Sequence, residues 1–140
     1  MEFFMPMIPP TVTAQEKKVT VRNGHAIFYE PAELKAAKSK LLGELARHKP
    51  DEPITGQPVE LVVKWCFPEK TKTTKTTNET KVTWRIEKPD TDNLNKLLKD
   101  CMTKVGFWKD DALVCRDIIE KFWVNEHPGI YIRVEELNEP

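Results

Sequence analysis

Apolar and polar positions follow two different periods along this chain. The first ten residues form a short apolar run ending at Pro9-Pro10, whose ring-fixed φ forces an extended exit. Lys18–Val21 and His25–Tyr29 are β-rich runs flanking Arg22-Asn23-Gly24, and an Asn-Gly between two such runs predicts a tight hairpin. Pro31 suits the first turn of a helix, where its missing N–H costs nothing. Leu34, Ala37, Leu41, Leu42 and Leu45 then recur at helical spacing through Ala32–Arg47, which Pro50 and Pro53 close. Residues 49–58 read as a polar loop, and Pro58–Phe67 as a buried strand of β-branched and aromatic residues. No apolar residue occurs between Lys70 and Lys81, so 69–81 is expected to be a mobile basic surface loop.

The strongest periodic signal is Asp92–Val105. Leu94, Leu97, Leu98, Cys101, Met102 and Val105 make one apolar stripe, and Gly106 comes next, where a helix end favours positive φ. Leu113–Val124 and Gly129–Leu137 read as strands separated by the turn signal His127-Pro128-Gly129. Two helices, irregularly interleaved strands and two strand pairs read as antiparallel predict an α+β fold with a mixed β-sheet. The 140 residues fit one domain spanning 1–140.

Composition narrows the class. At 39% hydrophobic and 31% charged the chain can build a core. Lys+Arg and Asp+Glu are 22 each, which excludes a uniformly basic nucleic-acid coat while leaving local patches open. No apolar run approaches the ~20 residues of a membrane helix. The N-terminus lacks the basic start and small-residue cleavage site of a secretory signal, so a cytoplasmic, reducing location without membrane contact is expected. Cys66, Cys101 and Cys115 form no CxxC pair and read as inert core thiols; the aromatic residues on strands likewise read as core.

The candidate chemistry lies in Lys88-Pro-Asp-Thr-Asp-Asn-Leu-Asn-Lys96. Asp90 and Asp92 stand at the mouth of the strongest helix, and Asp92, Lys96 and Asp100 share one face at i, i+4, i+8. A helix–loop–strand return can bring Asp110-Asp111 back beside them. Carboxylates gathered at one point repel unless divalent cations neutralise them, and hard oxygen ligands suit Mg²⁺ or Mn²⁺. Such a site serves phosphoryl transfer, with a lysine offsetting charge at phosphorus. Taken singly, each acid has a plainer use: Asp90 as helix N-cap, Asp92 as partner of Lys96 or of the helix dipole, and Asp110-Asp111 as a polar turn.

Taken together, KPDTDNLNK over residues 88–96, then Asp100, Gly106-Phe107-Trp108, Asp110-Asp111, Val114 and Lys121, resemble the core signature of RusA-type Holliday junction resolvases. The resemblance covers residues 88–121, and Pro9-Pro10 adds to it. It departs at Thr11–Ala14, where the family commonly has Asn and basic residues, and in the Thr/Lys loop, which lacks arginines and aromatics.

The resemblance implies a small homodimeric, often phage- or prophage-encoded endonuclease that resolves four-way branched DNA by paired symmetric nicks with Mg²⁺. It implies Asp90, Asp92 and Asp111 as metal ligands and catalytic acids and Lys96 as the catalytic lysine. Asn93, Asp100 and Asp110 are implied in support, and Lys121 at a phosphate. Local charge agrees: from Lys64 to Lys88 seven basic residues (Lys64, Lys70, Lys72, Lys75, Lys81, Arg85, Lys88) face three acids (Glu69, Glu79, Glu87). Lys70, Lys72, Lys75, Lys81 and Lys88 are therefore expected on the DNA backbone. Two other readings compete with the endonuclease. One is a non-catalytic branched-DNA-binding protein; the other is an interaction domain whose acids are only caps and turns.

Overall fold

The computed structural model describes residues 1–13, 18–70 and 79–140. Most of the predicted 69–81 loop, with Lys72 and Lys75, lies outside the described residues. The chain divides into two compact units, one of Met1–Pro9, Thr55–Glu87 and Ala112–Pro140, the other of Pro10–Ile54 and Lys88–Asp111.

The first unit is a mixed sheet. Its strands are β1 (Glu2–Pro6), β4 (Val59–Pro68), β5 (Val82–Trp84), β6 (Val114–Val124) and β7 (Gly129–Glu136), in the order β1-β7-β4-β6-β5. β4 runs parallel to β6 and antiparallel to β7. The last two strands run in opposite directions, as their turn suggests, but they do not form a hairpin, because β4 lies between them. The physical reason is burial: β4 is the most apolar strand, and the centre of a sheet is where a strand loses most water.

Pairing registers sort the side chains of this sheet into two faces. Met5, Ile130, Ile132, Val134, Leu61, Val63, Trp65 and Phe67 share the buried face. The other face presents Phe4, Tyr131, Lys64, Ile118, Phe122 and Trp84. Phe4 and Trp84 are exposed, against the expectation that strand aromatics belong to the core. The three cysteines are free, yet only Cys101 is buried; Cys66 is half-buried and Cys115 exposed, so two of the expected core thiols are not in the core. β5 carries no expectation from periodicity: three exposed residues on an edge strand offer no buried face to signal it.

The second unit holds β2 (Lys18–Arg22), β3 (His25–Tyr29), α1 (Ala32–Ala46) and α2 (Thr91–Val105). The hairpin forms as the sequence predicts, with Asn23 at φ 51° and Gly24 at φ 77°, the pair of positive φ values a type I′ turn needs. Pro31 sits one position earlier than expected, as the N-cap of α1. α1 and α2 pack on each other, burying Leu34, Leu41 and Leu45 of α1 and Leu94, Leu97, Leu98, Cys101 and Met102 of α2. The fold is thus α+β, with two helices and a mixed five-stranded sheet.

Candidate active site

α2 carries the acidic motif and is defined at both ends. Its apolar stripe is buried apart from the half-buried Val105, which leaves Asp92, Lys96 and the half-buried Asp100 on another face. Gly106 closes the helix at φ 105°, donating its N–H to the Met102 carbonyl at 3.1 Å.

The turn beyond Gly106 is pinned. Phe107 and Trp108 are fully buried, and the Trp108 indole N–H donates to the Thr103 hydroxyl at 2.7 Å, which itself donates to the Lys99 carbonyl at 2.8 Å. Ile54 bridges the same turn through its backbone: its N–H donates to the Phe107 carbonyl, and its carbonyl accepts from Lys109 N–H at 3.0 Å. The turn therefore delivers Asp110, exposed, and Asp111, half-buried at the start of a 3₁₀ turn over Asp111–Leu113, from a rigid base. Ile54 lies in the predicted polar loop and was not legible as part of this base, because a single backbone bridge leaves no side-chain pattern.

Two of the plainer uses that the sequence allows, a side-chain cap by Asp90 and a pair between Asp92 and Lys96, are not made, while Asp92 does lie in the first turn of α2, where the helix dipole favours an acid. Asp90 is the N-cap residue of α2 by backbone conformation (φ −73°, ψ 150°), and its carbonyl accepts from Leu94 N–H, but its side chain makes no capping bond. An uncapped Asp at this position forgoes a contribution of roughly 1 kcal/mol. Among the described residues, Asp92 forms no ion pair with Lys96, and Asp90, Asp92, Asp111 and Lys96 have no hydrogen-bonded side-chain partner. Pro89, which precedes Asp90, is buried and comes after a cis peptide bond from Lys88.

The donor set therefore fits a hard divalent cation in its chemistry: three carboxylates with uncommitted oxygens, two at the head of one helix and one on a pinned turn. The expected meeting of Asp90, Asp92 and Asp111 is not formed, however. Among the described residues no group of three or more His, Cys, Asp or Glu side chains is gathered closely enough to hold a metal ion. Mutual repulsion of solvated carboxylates favours rotamers that keep such groups apart.

The basic residues differ in how they are engaged. Lys70 pairs with Glu87 at 2.5 Å and lies over the Trp123 ring, and Lys121 donates to the Glu87 carbonyl at 2.8 Å. Lys70 holds the Glu87 carboxyl below its ordinary pKa. Lys81 and Lys88 are exposed, and the Lys81 ammonium has no partner among the described residues. Arg85, immediately after β5, is buried with its guanidinium over both Phe67 and Trp123, 4.2 and 4.3 Å from the ring centroids, and its backbone N–H donates to the Lys121 carbonyl. Arg85 and Glu87 thus anchor the segment that leads into the acidic motif. In the sequence both register only as charges, since stacking between two rings distant in the chain leaves no local pattern.

Residues 7–135 match the family model described as Endodeoxyribonuclease RusA. An α+β chain with this match is an endodeoxyribonuclease, a hydrolase acting on Holliday junctions. It belongs to the RusA family, whose nucleases depend on divalent metal in general. No curated protein matches the sequence. No helix among the described residues is long and apolar enough to cross a membrane.

Proposed function

We propose that the protein is a Mg²⁺-dependent, structure-selective resolvase that cuts four-way DNA junctions by paired symmetric nicks during recombination and repair. It acts as a homodimer in the cytoplasm of a bacterium, its gene chromosomal or phage-borne. The observation that carries the reading is the uncommitted state of its acids: Asp90 stands at a helix N-cap without capping, and Asp92 stands one helical turn before Lys96 without pairing.

Asp90, Asp92 and Asp111 would hold Mg²⁺, with Mn²⁺ as a substitute. Bound there, the cation would lower the pKa of the attacking water and stabilise the leaving oxygen. Lys96, exposed on the same helix as Asp92, offsets the negative charge that builds on the phosphoryl oxygens. The N-terminal end of α2 adds a favourable potential for an anion beside Asp90 and Asp92. Asn93, Asp100 and Asp110 support these groups. Lys70, Lys72, Lys75, Lys81, Lys88 and Lys121 hold the phosphate backbone without reading sequence. Two equivalent sites related by a C₂ axis account for symmetric cuts.

The test is a cleavage assay on a labelled four-way junction and a matching linear duplex, with Mg²⁺, Mn²⁺, Ca²⁺ or EDTA. Paired nicks confined to the junction, abolished by EDTA, are expected. Asp92→Asn is expected to lose detectable cleavage while binding the junction as tightly as the parent or more so, because a negative charge near the phosphate is removed. Full cleavage by Asp92→Asn would overturn the site. Binding without cleavage in every metal would make the chain a branched-DNA-binding protein instead.

A further inference from the structure

We propose that the outward face of the Trp84 indole is a stacking surface for a base unstacked from branched DNA. The inference rests on the resolvase reading and adds a residue that sets its structural selectivity.

Trp84 ends the three-residue edge strand β5 and is 63% exposed, with Val82 at 53% and Ile86 at 92% exposed on either side of it. Tryptophan gains more from burial than any other side chain, so an exposed one on a sheet is a feature to be explained. Its ring is not loose. Trp84 pairs in register with Phe122 of β6, and the two rings stack at 4.7 Å between centroids with 28° between planes. One face of the indole is thus fixed against Phe122, which leaves the other preorganised and open to water. A base stacks on such a face without regard to sequence, because every base presents a π surface.

The chain's substrate selects nucleic acid over protein as the occupant, since it is an endodeoxyribonuclease acting on Holliday junctions, and local charge is compatible. The chain leading into β5 is Lys- and Thr-rich, and the Lys81 ammonium, next to the strand, has no partner among the described residues. A stacked base carries phosphates on both sides, and an ammonium one residue before β5 has the sign that complements them.

Selectivity arises from where unstacked bases occur. In a linear duplex, presenting a base face to Trp84 requires breaking stacking on both sides. At a crossover that stacking is already interrupted, so the platform favours the junction.

The experiment uses the full chain with Ca²⁺ in place of Mg²⁺, and a four-way junction carrying 2-aminopurine at the crossover. Junction and duplex affinities, 2-aminopurine emission on binding, and sedimentation mass are read for the parent, Trp84→Ala and Trp84→Phe. Trp84→Ala is expected to bind the junction on the order of 10-fold more weakly, with little change on duplex, and to lose the emission change. Trp84→Phe, which keeps an aromatic face, should retain most of both. Equal junction affinity and unchanged emission in Trp84→Ala would overturn the inference, as would an equal loss on junction and duplex. A fall in sedimentation mass in Trp84→Ala would also overturn it, assigning Trp84 to contact with a second copy. A parent protein that shows no preference for the junction would refute the resolvase reading itself, a different failure from the Trp84 variants matching a selective parent.

Discussion

Glu60 shows how one side chain can tie three strands together. Its carboxylate accepts from Arg116 on β6 at 2.9 Å and from Arg133 on β7 at 3.1 Å, so β4 is cross-linked to both neighbours by charge-assisted bonds. The bond from Arg116 and then that from Arg133 hold the Glu60 carboxyl below its ordinary pKa of 4.5, outweighing the opposing effect of burial. A lowered carboxyl contributes stability that is fully present above its unfolded pKa and is lost as pH falls through the folded one. Both arginines are partly in water, which keeps the contribution modest. Glu60→Gln is therefore expected to lower the melting temperature at pH 7 and to flatten its decline below pH 4.5, without abolishing it, because Glu87 titrates in the same direction through Lys70. Thermal melts of parent and variant across that range check this; parallel curves would show that the carboxylate has no linked role. The buried thiol of Cys101 stands at the other extreme, pushed up to about 11 by burial, and so is protonated and unreactive at neutral pH.

Elements were legible wherever burial and chain chemistry reinforced each other. α2 has a continuous apolar stripe and a glycine in left-handed conformation at its end, and it lies where the sequence places it. The Asn23-Gly24 hairpin is local in the same sense. Strand order was not legible, because nothing in Leu113–Glu136 records that β4 comes between β6 and β7. The acidic motif could be read, since its residues fall within one helix and the turn after it, whereas Arg85 and Ile54 could not, since their partners are distant in sequence. Gly129 is a further case of a constraint invisible in sequence. It opens β7 opposite Pro6 of β1, and a Cβ there would fall on the Met5 carbonyl oxygen and the Phe4 ring. The ring can rotate away, but the backbone oxygen cannot without parting β1 from β7. Gly129→Ala is expected to cost about 1–3 kcal/mol, as overpacking at a rigid contact does, and urea denaturation should show a lower midpoint with an unchanged slope. A variant as stable as the parent would mean that β1 shifts freely on the sheet.

On the scale of the whole molecule, DNA binding has to arise from a chain whose formal net charge is zero. Long-range attraction is then weak, and affinity must come from a few local cations that displace counterions from phosphates. The described lysines ahead of the acidic motif are not equivalent in this respect. Lys81 has an uncommitted ammonium, whereas Lys70 is already paired with Glu87 and lies over Trp123. Neutralising one phosphate steepens the dependence of log affinity on log salt concentration by about 0.9 on duplex DNA. Lys81→Ala should therefore weaken binding uniformly across sequences and make that slope shallower by close to this amount. Lys70→Ala removes a cation but also frees the Glu87 carboxylate. If Lys70 stays paired in the complex, its loss should weaken binding through the new negative charge while changing the slope by clearly less than one phosphate contact. Junction titrations of the Asp92→Asn background at several salt concentrations separate the two cases. Equal slope changes for both variants would show that Lys70 leaves Glu87 for the DNA, and that its ion pair belongs to the free protein alone.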